Sequence, residues 1–247
     1  MDLIQEYTLL VDGDPLSYRF GVDGDPERAW SNLQHHIRSA MMASGATSTK
    51  LFLTAPDCLK GYRYHLAKIK PYQGNRKGKT LNLPTRRYLW NRMLAEGGIS
   101  NPILEADDMI VATGNRDPKH CIILSPDKDM HQCLAPVWMS EYKQPYTGYH
   151  ILSQVLQGDR ADNIPGLVPG VGPAKAAKIL SAFQTVQEAR EGVLSLAKGN
   201  TLRLAEISSL VILGAWRTPS ARVRSFWGDM LPEEDLKELD ARCPLND

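Results

Sequence analysis

The chain has 247 residues, 43% of them hydrophobic, and a net charge of +1. Its longest apolar runs, such as residues 121–124, are far shorter than the roughly 20 residues that a membrane-spanning helix needs, and the N-terminus lacks a signal-peptide pattern. We therefore expect a globular cytoplasmic protein. The cysteines are too widely spaced to indicate a zinc knuckle or a disulfide framework, and we expect reduced thiols at Cys58, Cys121, Cys133 and Cys243.

The acidic residues are unevenly distributed. Nine of the 28 occur in short clusters, and the other 19 are outnumbered by 29 Lys and Arg, an excess of about ten positive charges. An excess of positive charge over most of the chain, with acidic residues concentrated in a few clusters, suits a protein that binds a polyanion and holds cations where that polyanion is cut. The nine acids are Asp12, Asp14, Glu105, Asp107, Asp108, Asp127, Asp129, Asp159 and Asp162.

The first apolar run, residues 9–11, predicts a buried strand that ends directly in acidic residues. Asp12 and Asp14 follow it, separated by Gly13, which would permit a tight exit from the strand. Aspartate and glycine are also favoured in ordinary turns. The pair therefore has two interpretations, a turn or part of a metal site.

Alternating strands and helices follow this first strand. The spacing of apolar residues predicts helices over residues 27–43, 85–95 and 105–113, and further strands over residues 51–54 and 122–124. This alternation predicts an α/β fold with a mainly parallel central sheet flanked by helices. Ligands of such sheets bind at the edge formed by the carboxyl ends of the strands. The acids that follow the strands should converge at this edge.

A basic segment lies between the second predicted strand and the third predicted helix. Three aromatic residues, Tyr72, Tyr88 and Trp90, are interleaved with its charges. Basic runs are usually solvated surface, but this pattern also suits single-stranded DNA, because bases stack on aromatic rings while Lys and Arg bind phosphates. The basic residues are Lys68, Lys70, Arg76, Lys77, Lys79, Arg86, Arg87 and Arg92.

Residues 105–108, with the sequence EADD, open the third predicted helix. Acids in a first helical turn can simply complement the helix dipole. Three acids in four residues also repel one another, and the spacing places Glu105 and Asp108 on one helix face with Asp107 beside them. This concentration of charge favours a bound cation.

Two more acidic pairs follow: Asp127 with Asp129 after the strongest predicted strand, and Asp159 with Asp162 at the spacing of a helical turn. Each pair alone could be a plain loop or helix cap. Four acidic clusters at one sheet edge, without His or Cys among them, indicate Mg²⁺ or Mn²⁺. Two such ions about 4 Å apart would activate water and stabilise the leaving oxygen in phosphodiester hydrolysis.

The strand pattern stops near residue 148, and the remaining sequence predicts helices with a Gly- and Pro-rich hairpin at residues 164–173. We therefore place an α/β core at residues 1–148 and a helical region at residues 149–247. Backbone N–H groups of the hairpin and the start of the next helix could bind a phosphate of duplex DNA. An ordinary loop is the alternative. The residues concerned are Gly166, Gly170, Gly172, Lys175 and Lys178.

Five motifs occur in an order that carries a family resemblance: VDGDPLSYRF, KPYQGNRK, ILEADDMIVA, IILSPDKD and QGDRADNIPGLVPGVGPAKAAKIL. Across about residues 8–182, the chain resembles the bacteriophage 5′-3′ exonucleases and flap endonucleases, which are similar to the 5′-nuclease domain of bacterial DNA polymerase I. The resemblance implies a structure-selective, divalent-metal-dependent 5′ nuclease of DNA replication or repair. Its substrates would be 5′ ends, flaps and nicked or branched duplexes in a bacterial or phage-infected cell, and we expect a monomer.

The resemblance also implies roles for individual residues. One metal site would consist of Glu105, Asp107, Asp108 and Asp127, helped by Asp12. The other would consist of Asp129, Asp159 and Asp162, with Asp127 shared. Tyr72 and Arg76 match the family's YKxNR motif, in which the arginine handles the scissile phosphate, and a potassium ion would bridge the hairpin to duplex DNA. Further DNA contacts are expected from Arg86 and Arg87.

The sequence departs from the family pattern at three points. The lysine of the YKxNR motif, which aids catalysis, is Gln73 here, so Lys70 or Lys77 would have to supply its charge. A further metal-site aspartate often follows the family's second strand, but the candidate in this chain, Asp57, is offset. The arch through which longer family members thread a single strand would be short, at residues 73–98.

Three alternative functions remain open. A haloacid-dehalogenase-type phosphatase would use Asp12 as a covalent nucleophile and Asp14 as a general acid, but it would leave residues 105–108 and the hairpin unexplained. A DNA-structure-binding protein that has lost catalysis would not need so many mutually repelling acids. A PIN-like ribonuclease would share the acidic sheet edge but normally has no hairpin region.

Overall fold

The computed structural model describes residues 6–76, 84–138 and 148–244. In chain order the elements are β1 (Tyr7–Asp12), α1 (Gly13–Phe20), α2 (Pro26–Ser44), β2 (Ala46–Thr54), α3 (Arg63–Leu66), α4 (Pro84–Ala95), β3 (Ile99–Asn101), α5 (Ala106–Arg116), β4 (Cys121–Leu124), α6 (Tyr149–Gln157), β5 (Gly158–Asp159), β6 (Ile164–Pro165), α7 (Pro173–Leu180), α8 (Val186–Leu196), α9 (Thr201–Val211), α10 (Pro219–Trp227) and α11 (Glu233–Ala241). Within the described ranges, no helix combines the length and the apolar character needed to cross a membrane.

These elements form two compact units. The first comprises residues 1–61 and 81–145, and the second comprises residues 62–80 and 146–247. The sequence places the boundary at residue 148, whereas the structure also assigns residues 62–80 to the second unit. The physical reason is packing, because Leu66 and Tyr72 are buried in the hydrophobic core of the second unit.

A parallel four-stranded sheet in the order β3-β2-β1-β4 forms the centre of the first unit. The predicted strands correspond to β1, β2 and β4, and the predicted helices correspond to α2, α4 and α5, so these predictions are confirmed. The short edge strand β3 was not predicted, because three residues are too few to show a period. The core of this unit includes Leu9, Val11, Leu33, Leu53 and Leu89, all fully buried.

Local signals explain where α2 begins and ends. The Asp25 side chain accepts hydrogen bonds from the backbone N–H groups of Glu27 and Arg28, and Pro26 occupies the first turn. At the other end, Gly45 adopts the left-handed conformation with φ of 72°, which ends the helix at low cost. The chain can therefore enter β2 directly.

Helix α1 begins at Gly13 without an intervening loop, so of the two interpretations of Asp12 and Asp14 the ordinary turn is not observed. A side chain at Gly13 would place its Cβ 2.6 Å from Leu53 Cδ2 and 2.9 Å from the carbonyl oxygen of Phe52. Glycine is needed here because α1 approaches β2 closely, and not because of an unusual φ angle. The close approach sets the position of the acids on either side of Gly13.

The second unit is mainly helical around a core that includes Leu204 and Trp227. The segment that ends in Arg76 is anchored to α9, because Arg63 donates to the carbonyl oxygens of Leu210 (3.0 Å) and Ile212 (3.3 Å). Arg63 is 1% exposed. These bonds satisfy carbonyl groups at the carboxyl end of α9.

One short strand pair lies in the region predicted to be mainly helical. Strands β5 and β6 pair antiparallel, with Asp159 opposite Ile164. Asp159 is thus on a strand and Asp162 is in the turn that follows. The expectation that both lie on one face of a helical turn is wrong, because left-handed residues at Gly158 (φ 76°) and Asn163 (φ 59°) direct the chain into a hairpin.

Candidate functional site

Asp12 lies at the carboxyl end of β1, where it is buried. Its Oδ2 accepts a 2.7 Å hydrogen bond from Ser125 Oγ. Ser125 immediately follows β4, the strand paired in parallel with β1. The backbone N–H of Asp127 donates to the same Ser125 hydroxyl at 3.1 Å. The structure therefore brings Asp12 and the Asp127 loop together at the predicted edge of the sheet.

The environment of Asp12 disfavours its negative charge. Burial raises the pKa of Asp12 to about 7, and the charges of Asp14 and Asp127 contribute in the same direction, against the lowering effect of the Ser125 hydrogen bond. A cation beside Asp12 would stabilise its charged form and reverse this effect. The site is thus better suited to a carboxylate with a bound cation than to an isolated carboxylate.

Asp14 and Asp57 follow the first two strands but have different surroundings. Both carboxylate oxygens of Asp14 accept from the backbone N–H of Thr54, at 3.2 and 3.3 Å, at the end of β2. Burial raises the pKa of Asp14. Asp57 lies in an exposed turn. Asp14 therefore has a clear structural role in holding the end of β2, and metal binding by either residue stays a prediction.

The tightest acidic cluster is formed by Glu105, Asp107 and Asp108, whose ligand oxygens all lie within 4.8 Å of one another. Glu105 and Asp108 are buried, with 7% and 0% exposure. The start of α5 is fixed at the carboxyl end of β2, since the Ala106 N–H donates to Thr54 Oγ1 at 3.0 Å. The three acids are grouped as their spacing predicts. Among the described residues, no other set of three potential ligands meets the same distance limit.

A lysine that sequence analysis missed contacts this cluster. Lys60 Nζ lies 2.6 Å from Glu105 Oε1, and the two side chains are 20% and 9% exposed. The pair is separated by 45 residues in the sequence. Since Lys60 lies outside the acidic motifs, no local pattern could have paired it with Glu105.

Asp127 and Asp129 lie in the loop that follows β4. Asp127 Oδ1 accepts from the backbone N–H of Asp129 at 2.9 Å and begins a short 3₁₀ turn over Lys128–Gln132. Lys128 Nζ lies 3.0 Å from Asp129 Oδ1. The loop thus places Asp127 at the sheet edge that carries Asp12, with Asp129 two residues further on, and the role of both as metal ligands stays a prediction.

In the second unit, the residues of the YKxNR-like motif converge on Asp162. Tyr72 Oη donates to its Oδ2 at 3.3 Å, while Gln73 Nε2 and Arg76 Nη2 donate to its Oδ1 at 2.9 and 2.6 Å. Asp159 is buried and accepts from the Ala161 N–H at 2.7 Å. The assignment of Asp159 and Asp162 to a second metal site stays a prediction.

The aromatic residues of the basic segment do not form the expected stacking surface. Tyr72 is buried in the second unit. Tyr88 donates to Glu27 Oε1 and Trp90 donates to the Thr54 carbonyl oxygen, and both pack against the core of the first unit. Aromatic and charged residues also alternate along amphipathic helices whose aromatic side chains face a core, so the sequence pattern fits both arrangements. In the structure they serve packing.

The cations of the basic segment are more accessible. Lys70, Arg76 and Arg87 are exposed, and the guanidinium of Arg86 lies 3.7 Å from the centroid of the partly exposed Tyr18 ring. Lys77 and Lys79, and with them residues 77–83 of the predicted arch, lie outside the described residues. The described part of the segment therefore offers cations for phosphate binding.

The hairpin at residues 164–173 leads into α7. Leu167 is buried and its N–H donates to the Val155 carbonyl oxygen at 2.8 Å, which anchors one side of the hairpin. Gly170 is left-handed with φ of 73°, and a Cβ at Gly172 would meet no atom within 4 Å. Lys175 and Lys178 are exposed on α7. This end of α7 is thus open to a phosphate.

Comparisons with known proteins agree with this architecture. No protein-family model matches the sequence. The flap endonuclease Xni of Shewanella oneidensis is 30% identical over 121 residues, which are 41% of this chain and 46% of that protein. The chain therefore matches less than half the length of this relative.

Two solved structures from bacteriophage T5 are similar over almost the whole chain. A T5 flap endonuclease in a pseudo-enzyme-product complex with DNA and metal ions has a TM-score of 0.64 at 18% identity and covers 96% of this chain and 99% of its own. A T5 5′-exonuclease with bound divalent metal ions (zinc) has a TM-score of 0.64 at 19% identity, with coverage of 95% and 98%. The chain has the fold of these proteins, as its motifs predict.

Proposed function

We propose that this chain, with the fold of the bacteriophage T5 5′ nucleases, is a structure-selective 5′ nuclease that hydrolyses DNA phosphodiesters with divalent metal ions. The observation that carries the proposal is the cluster of Glu105, Asp107 and Asp108, with ligand oxygens within 4.8 Å of one another. These acids lie at the carboxyl end of a parallel sheet, where ligands of α/β proteins bind. The activity would be 5′-3′ exonuclease, flap endonuclease or both.

The residues present fit divalent ions. Three carboxylates, two of them buried, carry more negative charge than the single ammonium group of Lys60 can neutralise. Oxygen ligands without His or Cys favour Mg²⁺, with Mn²⁺ as a substitute. We assign one ion to Glu105, Asp107, Asp108 and Asp127 with Asp12, and another to Asp127, Asp129, Asp159 and Asp162. When bound, such ions supply the charge that activates water and stabilises the leaving oxygen of a phosphodiester.

Protein groups around these acids would orient the ligands. The Ser125 hydroxyl holds Asp12 at 2.7 Å, and the backbone N–H of Asp129 holds Asp127 at 2.9 Å. Such contacts fix the direction of ligand oxygens before a metal arrives. In the second unit, Tyr72 and Arg76 would play the same part for Asp162, and Arg76 would contact the phosphate, with Lys70 or Lys77 adding charge.

DNA binding would use groups that carry no sequence information. The hairpin at Gly166, Gly170 and Gly172 would bind a duplex phosphate through backbone N–H groups, reinforced by Lys175 and Lys178 and bridged by K⁺. Arg86 and Arg87 would bind the strand with the 5′ end. We propose that the substrates are 5′ flaps, nicked and branched duplexes in a bacterial or phage-infected cell, and that the enzyme acts as a monomer.

The deciding experiment is cleavage of end-labelled DNA with Mg²⁺ or with a chelator. A 5′ flap, a nicked duplex and a single strand of the same sequence would be compared for the wild type and Asp108→Asn. We expect the wild type to release short 5′ products in the presence of Mg²⁺, mainly from the flap or the nick. Asp108→Asn should release none of these products. Hydrolysis of a phosphate monoester without DNA cleavage would instead support the phosphatase, and flap binding without cleavage would support the non-catalytic protein.

A further inference from the structure

The contact between Lys60 and Glu105 places a fixed ammonium group on the acidic cluster. Lys60 Nζ lies 2.6 Å from Glu105 Oε1, and the Lys60 side chain is 20% exposed. Glu105 shares the cluster with Asp107 and the fully buried Asp108. A positive charge at this distance offsets part of the repulsion within the cluster.

The backbone around Lys60 adopts a conformation that ordinary residues avoid. Lys60, Gly61 and Tyr62 are consecutive left-handed residues, with φ of 52°, 59° and 65°. This conformation is unfavourable for a residue with a side chain. Two non-glycine residues keep it here, so the surrounding structure must hold it in place.

Two backbone hydrogen bonds on either side of Lys60 supply that restraint. The N–H of Leu59 donates to the Pro102 carbonyl oxygen at 2.8 Å, and the N–H of Gly61 donates to the Ile103 carbonyl oxygen at 2.6 Å. Residues 102–103 lead directly into Glu105. The loop that carries Lys60 and the loop that carries Glu105 are therefore fixed to each other, and the ion pair is built into the loop pairing.

We propose that the Lys60 ammonium group neutralises part of the charge of the metal centre before metal binds. It would then exchange with the divalent ion as the partner of the Glu105 carboxylate, and this replacement is called the exchange below. Lys60 holds the Glu105 carboxylate in the cluster before metal binds, and its ammonium group would compete with a divalent ion for that carboxylate. Lys60 thereby weakens metal affinity and keeps the metal-free centre ordered. The inference rests on the proposed function for the identity of the ion and assigns Lys60 a positioning role that the family motifs do not contain.

The test is calorimetric titration of chelator-treated protein with Mn²⁺. Lys60→Met removes the charge but keeps the length, and we expect it to bind Mn²⁺ at least about tenfold more tightly, because a positive charge beside the ion is removed. Lys60→Arg should stay close to the wild type. Lys119→Met is the matched control, since Lys119 is an exposed lysine before β4, at the opposite end of the sheet.

A second neutral variant keeps the test decisive if Lys60→Met does not fold. Lys60→Gln retains a donor for Glu105 without the charge, and it should show the same gain in Mn²⁺ affinity. Circular dichroism should give a lower melting temperature for both metal-free neutral variants and recovery when Mn²⁺ is added. Wild-type or weaker Mn²⁺ binding by the neutral variants would overturn the exchange, and so would a wild type that binds no Mn²⁺.

Flap cleavage by the same proteins separates this inference from the proposed function. Neutral variants should need less Mg²⁺ for half-maximal cleavage than the wild type. Tighter Mn²⁺ binding without cleavage by any of the proteins would support the exchange and overturn the nuclease. Flap cleavage by the wild type, combined with a Mn²⁺ affinity that does not respond to Lys60, would overturn the exchange alone.

Discussion

Ser125 Oγ donates a 2.7 Å hydrogen bond to Asp12 Oδ2 between the ends of two neighbouring parallel strands. The bond lowers the pKa of Asp12, but burial and the nearby charges of Asp14 and Asp127 outweigh it and raise the pKa to about 7. A charged Asp12 carboxylate therefore lowers the free energy of unfolding of the metal-free protein, although a cation could bind at the same place. This relationship predicts how its stability depends on pH.

The free energy of unfolding of the chelated protein should fall as pH rises from about 4 to about 7. In that window the folded protein retains a proton on Asp12 that the unfolded chain releases, so folding is favoured at the acidic end. The contribution is at most about 4 kcal/mol, from a pKa raised from 3.8 to about 7. Asp12→Asn should therefore be more stable than the wild type at pH 8 but not at pH 4. Urea unfolding with chelator at both values measures this, and equal pH profiles would contradict it.

Loss of a ligand charge should affect cleavage far more than DNA binding. Asp108→Asn and Asp127→Asn should each reduce single-turnover cleavage at least about a hundredfold, because both carboxylates are assigned to the metal centre. The affinity for flap DNA should stay within about threefold, since the basic residues provide it. Asp117→Asn is the matched control, as Asp117 is exposed and pairs with His120 beyond the end of α5. Wild-type turnover in Asp127→Asn would rule out its role as the shared ligand.

The hairpin should determine duplex affinity and not the chemical step. A side chain at Gly172 would meet open space and φ there is −109°, so Gly172→Val should fold normally while it obstructs a phosphate. Gly172→Val and Lys175→Glu should weaken binding to nicked duplex at every sequence, and Lys175→Glu should also reduce its salt dependence. Lys237→Glu, an exposed change on α11, is the control. Normal duplex binding by both variants would reduce the hairpin to an ordinary loop.

Replacing Gln73 with lysine should increase the single-turnover rate of flap cleavage. Gln73 Nε2 contacts Asp162 at 2.9 Å, so a lysine at this position would be held by the same carboxylate. A cation near the phosphate stabilises charge in the transition state, and we expect a gain of up to about tenfold, equivalent to roughly 1.4 kcal/mol. Gln73→Met controls for length without charge. If Gln73→Lys gave no gain and Lys70→Ala and Lys77→Ala lost no rate, this segment would not contribute charge to the chemical step.

Glu206 should be essential for the stability of the second unit. Its Oε1 accepts from the backbone N–H groups of Lys68 and Ile69, both at 2.8 Å, and its Oε2 pairs with Arg242 at 2.7 Å. Removing the Glu206 charge leaves Arg242 with only the exposed Glu238 as an acidic partner, and Glu206→Gln should cost about 3 kcal/mol. Urea unfolding measures this loss. Glu238→Gln, at the exposed carboxylate that also pairs with Arg242, should cost less than about 1 kcal/mol.

The main strands and helices of the first unit, and the positions of the acids along them, could be predicted from the sequence. Apolar periodicity predicted β1, β2 and β4 with the helices between them, because a period of two or 3.6 residues is a local property of the chain. Asp12 and Asp127 follow two of these strands, and parallel strands end at the same edge of a sheet, so their convergence could be predicted. The grouping of Glu105, Asp107 and Asp108 followed from the spacing of one helical turn.

Tertiary structure alone decided which groups surround those acids. Lys60 contacts Glu105 from 45 residues away, and residues 62–80 join the second unit because Leu66 and Tyr72 are buried in its core. The raised pKa of Asp12 depends on burial by elements distant in sequence. Long-range packing decides such contacts and the local dielectric environment, whereas the local pattern of residues records only which faces are apolar.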